Sequence, residues 1–120
     1  MELWLHYLGT ACFVQELRLN HFPFVIGRRK NCDGHLPFAF ISRTHCQFIC
    51  TNNQVMIRDL ESHNGTFVNG RRVSQAVPVK DGDEITLGPI SFRLSQPRKG
   101  QETTEMEMPA TRPDLAKLFV

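Results

Sequence analysis

The feature that most constrains this chain is a two-residue alternation of apolar and polar side chains, recurring in short runs over residues 1–96 and cut each time by a turn signal. Such runs turn one strand face to a core and the other to water, and nothing in this stretch sustains a helical period. Residues 3–8, 12–17, 22–27, 46–50, 55–58, 84–88 and 90–94 are read as strands. Pro23 puts its run at a strand start or a sheet edge. Asn69-Gly70, flanked by Phe67-Val68 and Arg71-Arg72-Val73, reads as a two-residue hairpin because both residues tolerate positive φ; Asn52-Asn53 reads the same way. Gly9-Thr10, Asn64-Gly65 and Asp81-Gly82-Asp83 are further turns. About ten strands packed this closely imply an all-β sandwich or barrel.

At 120 residues the chain can bury one modest core, so one domain plus an appendage is expected. The division falls near Gln96: residues 1–96 form the domain, and residues 97–120 are polar and turn-rich and read as a mostly flexible tail. Past Pro113, a helical turn carrying Leu115, Leu118 and Phe119 and a ragged end are both open. No apolar run reaches the roughly 20 residues of a membrane span. The start carries Glu2 where a secretory signal would be basic, so the chain is expected to be soluble and cytoplasmic, or nuclear in a eukaryote. Cys12, Cys32, Cys46 and Cys50 match neither a disulfide framework nor a zinc ribbon. On a strand, Cys46 and Cys50 would stand roughly 13 Å apart, too far to share one zinc. Reduced core thiols, no metal and no cofactor are expected.

A long loop over residues 29–44 separates two strand runs, and loops of that length are usually functional. Three short segments concentrate polar chemistry at strand ends: Gly27-Arg28, Ser42-Arg43-Thr44-His45, and Ser62-His63-Asn64-Gly65-Thr66. In a sandwich such ends can converge at one edge, bringing two guanidinium groups, hydroxyls, an amide and backbone N–H groups together. That set suits a dianion, since the planar donor fork of arginine matches phosphate oxygens and charge-assisted bonds are the stronger ones.

In order and spacing, these segments, together with Asp59-Leu60, Phe67-Val68-Asn69-Gly70 and Asp81-Gly82-Asp83-Glu84-Ile85, resemble the forkhead-associated (FHA) domain family over roughly residues 3–95. The resemblance implies an eleven-stranded antiparallel β-sandwich of FHA/SMAD-like type whose apical loops hold a phosphothreonine peptide. Carried over by position, it implies that Arg28 and Ser42 contact the phosphate, that Arg43 adds charge at the rim, and that Asn64 holds the peptide backbone just after the phosphothreonine. His63 stands where many members have a small polar residue that touches the phosphate, a departure from the pattern. Gly27, His45, Thr66, Asn69 and Gly70 are expected to shape the loops, and Phe40 to favour an apolar residue three positions after the phosphothreonine. The implied partners are phosphothreonine-containing proteins downstream of a Ser/Thr protein kinase, bound by a monomer. Thr103 and Thr104, once phosphorylated, are candidate ligands for the chain's own domain or a neighbour's; Thr111 is a weaker candidate.

Other classes fit less well. Ser42, His45 and Asp59 have the residue types of a hydrolase triad but lack the nucleophile-elbow signature. The Gly65 to Gly70 spacing is that of a nucleotide P-loop without its lysine or its helix. Arg28, Arg29, Lys30, Arg71 and Arg72 suggest nucleic acid, but no stacking aromatics interleave them and Asp33, Asp59 and Glu61 break the field. Asn64-Gly65-Thr66 is a glycosylation sequon, idle in a non-secreted chain.

Overall fold

The computed structural model describes residues 3–9 and 16–96. They form eleven strands: β1 (Leu3–Tyr7), β2 (Glu16–Leu19), β3 (Phe24–Gly27), β4 (Gly34–His35), β5 (Cys46–Thr51), β6 (Gln54–Asp59), β7 (Thr66–Val68), β8 (Arg71–Arg72), β9 (Val77–Pro78), β10 (Glu84–Leu87) and β11 (Ile90–Ser95). One sheet runs in the order β2-β1-β11-β10-β7-β8 and the other in the order β4-β3-β5-β6-β9. All pairings are antiparallel except β3 with β4, which is parallel. Of the sandwich and the barrel that the alternation left open, the sandwich implied by the FHA resemblance is the fold, with one parallel pair in an otherwise antiparallel arrangement. No helix among the described residues is long and apolar enough to cross a membrane.

The alternation builds the core directly. Leu3 and Leu5 on β1, Ile85 and Leu87 on β10, and Ile90, Phe92 and Leu94 on β11 face Phe24, Ile26, Phe48, Val55 and Ile57 of the other sheet. The register Phe24–Phe48–Ile57 lines up one apolar row across three strands. A fully buried side chain such as Phe48 contributes roughly 2–3 kcal/mol over leaving it in water. A one-residue slip would turn each row outward, so burial fixes the register.

The turns hold the register as well. Asn69 and Gly70 take φ of +51° and +84° between the paired residues Val68 and Arg71, as a two-residue hairpin demands. Asn52 and Asn53, at +53° and +62°, join β5 to β6 in the same way. Gly82, at +93°, sits in the turn that Asp83 N–H closes on the Lys80 carbonyl at 3.1 Å.

Several expectations change. The strand read at residues 12–17 is Glu16–Leu19 where the structure describes it, and residues 10–15, with the Gly9-Thr10 turn, lie outside the described residues. Of the two positions read for Pro23, the strand start holds and the sheet edge does not: it immediately precedes β3, an interior strand. The loop over 29–44 contains β4, paired with β3 through Ile26–Gly34 and Gly27–His35. The cysteines are not uniformly core thiols. Cys46 is buried, Cys32 is half-buried and Cys50 is exposed, because β5 runs past the edge of the core at its Cys50 end; all three are free. Burial pushes the Cys46 thiol well up, so it stays protonated. Cys12, the tail over 97–120, and Thr103, Thr104 and Thr111 lie outside the described residues.

Candidate functional site

The site grows out of one strand position. On β6, Val55 and Ile57 point into the core, and by the two-residue period Asp59 follows on the same side, beside the paired Cys46. A carboxylate at the edge of a core needs donors, and the next loop supplies them. Ser62 donates both its N–H, at 3.0 Å, and its hydroxyl to Asp59, and the Thr66 hydroxyl adds a third bond at 2.7 Å. Ser62 Oγ in turn accepts the Gly65 N–H at 3.0 Å. Burial works to raise the Asp59 pKa, but the Ser62 and Thr66 hydroxyls and the Ser62 N–H outweigh it and hold the carboxyl below its ordinary value. The loop over 62–66 is thereby folded around a half-buried anion.

His45 ties this loop to the Ser42-Arg43 segment. It is fully buried; its Nδ1 accepts the Ser42 N–H at 3.2 Å, so Nε2 carries the proton and donates to the Gly65 carbonyl at 2.9 Å. Its own backbone bonds Ile26 and Leu60 on either side. Gly27 lets the third segment close in. A Cβ there would lie 2.1 Å from the Arg43 carbonyl oxygen, so only glycine permits the bonds from Arg28 N–H to the Ser42 carbonyl, at 3.0 Å, and from Arg29 N–H to the Arg43 carbonyl, at 3.4 Å. Gly65, at φ +88°, has the Arg72 guanidinium and the Phe67 ring packed where a side chain would go.

The three segments therefore meet. Arg28, Phe40, Ser42, Arg43, His63 and Asn64 all line one open, polar cleft of about 470 Å³. Arg28 and Arg43 are exposed and have no acidic partner within ion-pair distance among the described residues. Ser42 Oγ accepts the His63 N–H at 2.9 Å, which leaves its own proton free to donate into the cleft. Asn64 donates from Nδ2 to the Phe40 carbonyl at 2.8 Å, which fixes the amide and leaves Oδ1 and a second N–H for a ligand. The His63 ring is exposed, while its backbone braces Ser42. Phe40 is half-buried, stacked on Phe38 with ring centroids 5.3 Å apart and planes 4° apart.

Not every predicted residue is at the cleft. Asn69 and Gly70 lie at the far end of β7 from Thr66, where the Asn69 amide bonds Asp83 at 3.1 Å and the Glu84 N–H at 2.9 Å. Arg71 and Arg72 line a separate cleft of about 380 Å³ with Val73, Val77 and Pro78, and neither lines the cleft that holds Arg28. The residue types of a triad are present but not connected as one: His45 takes the backbone N–H of Ser42 instead of its hydroxyl, and Asp59 bonds Ser62 and Thr66. The two glycines of the P-loop spacing bracket strand β7, with no helix after them. Among the described residues no three His, Cys, Asp or Glu side chains cluster as a metal site would need. Sequence reasoning assigned no role to Asp59 as an anchor or to Ser62; the signal was Asp59 three residues before a serine and seven before a threonine.

Comparison with known proteins agrees with this geometry. The family model of the FHA domain matches residues 24–88. The glycogen accumulation regulator GarA of Mycobacterium tuberculosis is 37% identical over 79 residues, covering 63% of this chain and 47% of GarA. An ABC transporter ATP-binding/permease protein of the same species is 45% identical over 67 residues, 56% of this chain and 8% of the transporter. The chain thus spans less than half the length of either relative. Among solved structures, one described as phosphothreonine-dependent FHA domain interactions superposes with a TM-score of 0.71 at 26% identity, covering 82% of this chain and 99% of that one. Mycobacterium tuberculosis EmbR in complex with a low-affinity phosphopeptide also superposes at 0.71, with 30% identity over 78% of this chain and 24% of EmbR. The chain belongs to the FHA domain family.

Proposed function

We propose that the chain binds phosphothreonine-containing proteins through the cleft between the 28–29, 40–45 and 61–65 segments, as a monomeric reader of phosphorylation written by a Ser/Thr protein kinase. The observation that carries this is the convergence of two guanidinium groups, without an acidic partner among the described residues, and a free hydroxyl proton on one cleft held together through Ser42 and the buried His45. Two cations side by side repel, and a phosphate dianion relieves that repulsion while accepting their donors. Arg28 takes the phosphate with a planar fork, Ser42 donates its hydroxyl, and Arg43 adds charge at the rim. Asn64, anchored on Phe40, offers its amide to the peptide backbone, and His63 braces Ser42. Neighbouring Leu60, half-buried at the cleft, gives the threonine γ-methyl an apolar contact. A methyl of this kind is worth about 0.8 kcal/mol from hydration and about 1–3 kcal/mol in a fitted niche, a preference over phosphoserine of roughly fourfold or more.

The module is a binder without catalytic chemistry, and residues 1–96 carry the activity. The test is calorimetric titration with matched phosphothreonine, phosphoserine and unmodified peptides. Phosphothreonine peptides bind tightest and unmodified ones do not bind. Arg28→Ala lowers affinity roughly ten- to hundredfold, as expected for losing hydrogen bonds to a charged group, while thermal stability is unchanged. Binding that ignores phosphorylation, or survives Arg28→Ala intact, overturns the reading.

A further inference from the structure

Glu61 is the one acidic side chain among the described residues that line the cleft, alongside Arg28 and Arg43. It is exposed, and no hydrogen bond or ion pair engages it among the described residues. Its backbone takes φ +57°, the left-handed region that glycine or asparagine enters at much lower cost than glutamate. The conformation is imposed from both sides: Asp59 precedes Glu61, Ser62 follows it, and their hydrogen bond at 3.0 Å closes the turn over it. The fold thus holds a strained, exposed glutamate at the edge of the cleft lined by Arg28 and Arg43, and it makes an ion pair with neither arginine. That charge opposes a phosphate, and a cation on the ligand offsets it.

We propose that Glu61 is a specificity-determining residue that makes the cleft favour phosphothreonine peptides carrying lysine or arginine within about four residues of the phosphothreonine, the span a bound extended segment covers near the cleft, and disfavour acidic ones. This rests on the phosphothreonine reading. The charge preference is separate from the apolar selection assigned to Phe40, because the two side chains belong to different loops.

The test is fluorescence anisotropy with phosphothreonine peptides in which a single lysine or glutamate is scanned over four positions on each side. Matched unphosphorylated peptides are the control, and the parent chain is compared with Glu61→Gln and Glu61→Lys. At one or more positions the parent binds the lysine peptide about two- to fivefold more tightly than the glutamate peptide, the size of an exposed ion pair, and the difference shrinks in high salt. Glu61→Gln removes the preference and Glu61→Lys reverses it, and both raise affinity for a neutral phosphothreonine peptide. A parent without preference, or one whose preference survives Glu61→Gln, overturns the proposal and leaves the phosphate site standing. Failure of every phosphothreonine peptide to bind overturns both.

Discussion

A methyl group placed on Gly27 would sit 2.1 Å from the Arg43 carbonyl oxygen and 2.8 Å from Cys32 Sγ. Ordinary contacts of this kind lie beyond about 3.2 Å, so the Arg43 backbone must retreat by about 1 Å in Gly27→Ala. That retreat pulls apart the bonds from Arg28 N–H to Ser42 and from Arg29 N–H to Arg43, and it strains the one from Leu36 N–H to the Gly27 carbonyl at 2.9 Å. Two lost backbone bonds at about 1 kcal/mol each, plus overpacking of about 1–3 kcal/mol, give roughly 3–5 kcal/mol. For a domain of this size each kcal/mol moves the melting midpoint by about 4–8 °C, so a fall of at least about 12 °C is expected. Scanning calorimetry measures it, with phosphopeptide titration well below the melting point as the second readout. Binding falls as well, because the same bonds hold Arg28 against Ser42. A midpoint shift under about 4 °C with full binding would show that the Gly27 contact does not assemble the site.

Other consequences follow from the same structure. Folding depresses the Asp59 pKa, so its stabilisation is complete above the unfolded value near 3.8 and is lost as pH falls through the lower folded value. Asp83, buried but held low by the Asn69 amide, the Lys80 N–H and the Lys80 charge, acts in the same direction. Urea midpoints should therefore be flat from about pH 7 to 5 and drop below about pH 4. Asp59→Asn lowers stability by about 1.5–3 kcal/mol at neutral pH and flattens the acid limb, which urea titrations at several pH values resolve. Asn53→Gly, at φ +62° in the second position of the β5–β6 turn, removes strain and raises stability by about 0.5 kcal/mol, measured as a small upward shift in the melting midpoint.

The sandwich was legible because burial on one face writes itself as a two-residue period, as Leu3 and Leu5 or Phe92 and Leu94 show. The Asn52-Asn53 and Asn69-Gly70 hairpins were legible because positive φ restricts residue choice. β4 was not, since two residues have no period and their parallel partner lies in a different run of sequence. Cys50 misled because alternation says which face a residue takes, not where the core ends. At the site, motif order brought Arg28, Ser42, Arg43, His63 and Asn64 to one cleft, but it left Asp59 and Ser62 without a role. The half-buried carboxylate at the end of β6 and the left-handed Glu61 it enforces are tertiary facts: each depends on which strand end lies beside which loop.

The central claim is a location, and two-dimensional amide NMR of the labelled chain during titration with a phosphothreonine peptide tests it most directly. The largest shifts are expected on the amides of Arg28, Ser42, Arg43, His63 and Asn64, with none there from the dephosphorylated peptide, while the amides of residues 71–77 stay in place. Shifts concentrated around Arg71 and Arg72 instead, or equal with and without the phosphate, would contradict it.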